Sequence, residues 1–221
     1  MKSLINNVMA VSMMILLTFA SCKKNEVKKE EAKFDINNPV GYFIYVRFSI
    51  NGSWPSSWLF EFSPGKTLKF HEASAVNGQV YTYEVIDGNI ISLKGLNYRF
   101  LIENGKITSE NFEQVALVKA SETNQLRGKT FAGTYYKPNH SVLHENFFYS
   151  FSSTENKVDA GFKVGTAVRT ETYKTIGNIA AWADKDGTGD IEFLLLLDGK
   201  LEVNYYNKTI GTRYYGSFSP Q

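Results

Sequence analysis

Three turn dipeptides constrain this chain more than any other feature of it. Asp87-Gly88, Asn104-Gly105 and Asp198-Gly199 recur in closely similar flanks: Ile86-Asp-Gly-Asn-Ile90, Glu103-Asn-Gly-Lys-Ile107 and Leu197-Asp-Gly-Lys-Leu201. A fourth pair, Asn77-Gly78, also stands between apolar runs. Asn-Gly and Asp-Gly supply the consecutive positive φ angles of a type I′ turn, whose twist matches the strands it joins. Each pair therefore predicts a tight hairpin.

Between the turns the chain reads as strand after strand. Its aromatic content is 14%, with 16 Phe, 13 Tyr and 3 Trp, and such residues suit a pleated, half-buried surface. In the first half the candidate strands are 41–50, 58–62, 66–71, 79–86, 89–94, 97–103, 106–109 and 113–119. In the second half they are 129–136, 145–152, 157–164, 167–175, 178–184, 190–197, 200–207 and 211–218. Segment 167–175 is mostly polar and reads as an edge strand, whereas the apolar run Phe193–Leu197 predicts burial on both faces. No segment carries an apolar stripe of period 3.6 longer than two turns. The polar stretch Ala120–Arg127 separates the halves. Eight short strands joined by hairpins can close into a small barrel, which removes exposed edges. The expected fold is all-β, with two tandem antiparallel β-barrel or sandwich modules at 39–120 and 126–221. One larger sandwich or barrel sharing strands between the halves is the alternative.

The amino terminus carries an address. Residues 1–21 have a short n-region with Lys2, an apolar stretch from Val8 to Phe19, and small residues before Cys22. That stretch is too short for a membrane-spanning helix, which needs roughly 20 residues. The run Phe19-Ala20-Ser21-Cys22 resembles the lipobox of bacterial lipoproteins, with Phe19 where Leu is usual. The resemblance implies cleavage before Cys22, diacylglycerol on its sulfur and acylation of the new amino terminus. Lys23, in place of the Asp that retains such proteins in the inner membrane, implies an outer-membrane destination, with the leaflet undecided. An ordinary export signal ending beside a free cysteine is the competing reading. Residues 22–38 form the lipidated start and a charged tether, of which Lys23–Asp35 holds five Lys and four acids. So polar a stretch cannot offset its ordering entropy, and as a random coil it spans about 20 Å.

The strand–turn–strand cadence of Tyr81–Leu93 and Tyr98–Ile107 resembles the small lipocalin-like domains of Gram-negative lipoproteins. The second half is similar through Phe131-Ala-Gly-Thr-Tyr135 and Leu197–Leu201, with Tyr135 where the family's Gly-x-Trp element has Trp. The resemblance implies a lipocalin-like barrel in each half.

Chemistry has few places to reside. Asp184, Asp186 and Asp190, around Gly187-Thr188-Gly189, resemble the opening of a calcium loop, in which alternating oxygens wrap a hard cation. Leu195 stands where the bidentate Glu belongs, so a hairpin loop of solvated acids is the plainer reading. His140 and His144 are four apart in an expected loop, beside Glu145, and lack an evident third metal ligand. Trp54 and Trp58 flank Pro55-Ser-Ser57 in another expected loop, where they would stack on a glycan or partner, or else plug the barrel end. The single Cys is spent on the lipid, and no Ser sits in a Gly-x-Ser-x-Gly elbow. Of the 24 basic and 22 acidic residues, six basic and four acidic precede Ile36, which leaves 18 of each. A neutral body lacks the basic excess that nucleic-acid binding requires. No resident cofactor is expected. The expected function is that of a noncatalytic, outer-membrane-anchored lipoprotein. It would bind a small apolar ligand, a glycan or an envelope protein. A toxin-immunity or enzyme-inhibitor lipoprotein acting through a loop surface is the alternative.

Overall fold

The three repeated hairpins form as their sequences require. Asp87 and Gly88 have φ of 51° and 77°, Asn104 and Gly105 51° and 74°, and Asp198 and Gly199 48° and 78°. Both central residues of each turn are thus in the left-handed region. A computed structural model describes residues 34–50, 54–74, 78–185 and 187–221. The export signal 1–21, Cys22, most of the tether, Asn77 and Asp186 lie outside the described residues, as do the side chains of Ile50 and Trp54.

Residues 34–221 form one unit built of antiparallel strands. The first half contains β1 (Tyr42–Ile50), β2 (Trp54–Ser63), β3 (Thr67–His71) and β4 (Val80–Ile86). It continues with β5 (Ile90–Leu93), β6 (Arg99–Glu103), β7 (Lys106–Thr108) and β8 (Gln114–Lys119). The second half contains β9 (Thr130–Tyr136), β10 (Val142–Phe151), β11 (Lys157–Gly161) and β12 (Arg169–Ile176). It ends with β13 (Ala180–Lys185), β14 (Asp190–Leu197), β15 (Lys200–Asn207) and β16 (Thr212–Pro220). The first eight make a sheet ordered β7-β6-β5-β4-β3-β2-β1-β8, nearly closed because only the β7–β8 seam lacks a ladder. The last eight make a closed barrel in which β9 pairs with both β10 and β16. The two sheets share no strand.

Two expectations fail in instructive ways. The polar segment around β12 is not an edge: β12 pairs with β11 and β13 inside the closed ring. Its polarity belongs to the barrel interior, where Glu171 and Tyr173 are buried. Trp54 and Trp58 are not on a loop either, since both belong to β2. Pro55 fits there because residues 54–58 pair with β1 alone, the β3 ladder beginning only at Leu59, so a missing N–H costs no ladder bond on that side.

The run on β14 is buried on both faces, as expected. Leu194 and Leu196 point to the barrel core, while Ile191, Phe193 and Leu195 point outward into a second core. That second core joins the halves: Phe43, Tyr45 and Leu59 of the first sheet pack with Ile176, Trp182 and Phe193 of the barrel wall. Gly177 makes the approach possible. It has φ of +55°, and a Cβ there would lie 2.4 Å from the Phe43 ring. The polar linker after Ala120 then crosses to the barrel. Ser121 and Gln125 N–H donate to the carbonyls of Gly177 and Asn178, at 2.9 and 2.8 Å. Leu126 is fully buried with Phe131, Phe151 and Tyr173, and Asn124 Nδ2 donates to Tyr173 Oη at 2.9 Å. The barrel is thereby stoppered at the end where β9 begins and β10 finishes.

Candidate functional site

The opposite end of the barrel is open. Alternation on each strand turns Tyr135 of β9, Phe147 of β10, Arg169 of β12, Glu192 of β14 and Tyr205 of β15 towards a cavity of about 280 Å³. Leu143, His144, Phe162, Val168 and Lys185 complete its wall. The volume lies close to the lower end of small-molecule pockets, about 300–1,000 Å³. The upper wall is mainly apolar, with His144 and Lys185 as its polar members. Phe162 packs against Phe147 and His144 with ring centroids 5.4 and 4.8 Å apart. Phe162 and Val168 nevertheless remain 51% and 59% exposed, so the rim offers an uncovered apolar surface.

The floor is charged and buried. Arg169 Nη1 donates to Glu171 Oε1, and Arg169 Nη2 donates to Glu192 Oε1 at 2.5 Å. Tyr149 Oη donates to the same Glu192 oxygen at 2.7 Å and Tyr135 Oη at 3.2 Å, and the two tyrosine hydroxyls also touch. Burial, and then the negative charge of Glu192, push both phenols well above their ordinary pKa. They therefore stay protonated as donors. Burial works against the Arg169 charge, but Glu192 and its neighbours outweigh it and raise the guanidinium pKa. Tyr205 is likewise raised, by burial and by its hydrogen bond to Asp190.

Stability alone gives little reason for this arrangement. An apolar replacement of a buried ion triad is often neutral or stabilising, because desolvation opposes the Coulombic gain. Buried charges at the bottom of a cleft are instead a usual mark of a working site.

Of the candidate site residues singled out in the sequence, His144 joins the cavity wall and the others lie elsewhere. Asp184 and Asp190 are not brought together. Asp190 points inward, accepting from Tyr205 Oη and Lys208 N–H, both at 2.8 Å. Asp184 takes the opposite face of the wall and accepts from Gly189 N–H at 3.0 Å. Asp186 is outside the described residues, among which no three His, Cys, Asp or Glu side chains gather as a metal site. His144 is on β10 and not in a loop, and it parts from His140, which shares a 2.6 Å hydrogen bond with Tyr215. Trp58 is half-buried among Phe48, Phe70 and Phe112, and its Nε1 donates to Glu72 Oε2 at 3.1 Å. Glu72 also accepts from Arg213 at 3.1 Å and, through its carbonyl, from Trp182 Nε1 at 3.2 Å, so Trp58 is tied into the junction of the two sheets.

Sequence reasoning missed Arg169, Glu171 and Glu192. One signal was present: Glu192 shares the strand parity of Leu194 and Leu196, the inward face of an otherwise apolar run. Comparison with protein families, curated proteins and solved structures finds no match to this chain, so the site is read from its own chemistry.

Proposed function

We propose that this chain is a noncatalytic, lipid-anchored envelope protein that carries a small, mainly apolar ligand in the mouth of its second barrel. The observation that carries the reading is the open cavity, apolar above and charged below, at the one unstoppered end of a closed ring. The test is to purify the chain from residue 34 onward, which contains all sixteen strands, and to analyse what accompanies it by mass spectrometry. A copurifying small molecule is expected, displaced by the neutral apolar dye Nile red. Finding no small molecule and no dye binding would remove the support for ligand carriage.

The uncovered rim of Val142, Phe162, Val164 and Val168 favours a second reading, in which the same mouth docks on a protein as a toxin-immunity or inhibitor surface. In that case the same experiment yields a stoichiometric protein partner in place of the small molecule.

The anchor supports an outer-membrane destination and is tested separately. Cys22→Ser should abolish metabolic labelling with palmitate and release the protein from membranes. Several acyl chains, each contributing about 0.8 kcal/mol per buried methylene, otherwise hold it there. Unchanged labelling would sink the assignment.

A further inference from the structure

We propose that the cavity selects ligands that bring a protonated amine to Glu192, an inference that rests on the ligand-carrying reading above. The two oxygens of Glu192 are used unequally. Oε1 accepts from Tyr135, Tyr149 and Arg169. Oε2 is buried and has no hydrogen-bond partner among the described residues. The Glu192 side chain is only 2% exposed, yet it lines the cavity. A buried carboxylate oxygen without a donor is uncommon in folded proteins, and at a cavity wall it marks the place where a ligand's donor fits. A charged donor makes the stronger bond to such an oxygen.

The surrounding charges favour an amine over an anion. Both terminal nitrogens of Arg169 are engaged by carboxylates, so an anionic head would have to compete with those carboxylates for the guanidinium. The two tyrosine hydroxyls already donate to Glu192. The other basic groups of the wall stand at the mouth: Lys185 Nζ lies 5.8 Å from the Tyr205 ring centroid, and His144 packs on Phe162. An anion held at the mouth would force its apolar part down onto the buried ions. The reverse orientation sets the amine on Glu192 and the apolar part against Phe147 and Phe162, which matches each surface to its like.

The experiment compares three ligands of one chain length, octylammonium, octanol and octanoate, by titration calorimetry at pH 7 with the chain from residue 34. Octylammonium is expected to bind at least tenfold more tightly than either of the others. Glu192→Gln should erase that preference. If Glu192→Gln does not fold, the ranking on the unaltered chain decides by itself. Tighter or equal binding of octanoate or octanol would overturn the amine assignment and leave ligand carriage standing. Binding of none of the three would overturn both.

Discussion

Arg169→Met should lower the stability of the folded unit by about 3–5 kcal/mol, the usual cost of removing one partner from a buried ion pair. The guanidinium is shared by Glu171 and Glu192, whose side chains are 3% and 2% exposed. Without it, two carboxylates face each other in a low-dielectric interior, with tyrosine hydroxyls as the remaining donors to Glu192. For a domain of this size the melting temperature should fall by roughly 10 °C or more. Thermal melts of variant and parent check this, and a variant that melts with the parent would exclude a structural role for the guanidinium. The triple replacement Arg169→Met, Glu171→Leu, Glu192→Leu should fold with stability within about 2 kcal/mol of the parent, since no charge is left unpaired. On the proposed reading, that stable barrel has lost its preference among ligands.

The second large effect lies at the junction of the two sheets. Phe193→Ala should cost about 3–5 kcal/mol, through lost burial and the cavity left behind. Phe193 is fully buried in the core that also takes Phe43, Tyr45 and Leu59 from the first sheet. The loss should therefore be felt in both halves and not in the barrel alone. In a Trp54→Phe, Trp182→Phe background, indole fluorescence reports on the first sheet through Trp58, whereas far-UV circular dichroism reports on all strands. Phe193→Ala should shift both midpoints downward together. A fluorescence midpoint that stays in place would show that the first sheet gains nothing from the shared core.

Most of the architecture was legible because its information is local. A strand shows itself in a handful of residues, and Asp-Gly or Asn-Gly declares a turn by backbone chemistry that no distant contact can alter. β14 announced its double burial through an unbroken apolar run. β12 misled for the complementary reason. Alternation tells which residues share a face, but it does not say that the inward face must be apolar, so a mostly polar segment read as an edge strand. Pro55 misled at β2, because its effect depends on whether a third strand lies alongside. The cavity itself could not be foreseen. Its wall draws residues from β9, β10, β12, β13, β14 and β15, and only ring closure brings Tyr135 and Glu192, 57 positions apart, within hydrogen-bonding reach.

The stopper formed by Leu126 and the inter-module linker bears on kinetics as well as on shape. A vessel closed at one end admits and releases its cargo along a single path, so loading and unloading are one event run in opposite directions. Any change at the rim that slows escape must slow capture through the same gate, unless it also alters how tightly the cargo is held. On the proposed reading, affinity would then be set at the floor, by the ions around Glu192, and the rates of entry and exit at the lip, by Phe162 and Val168.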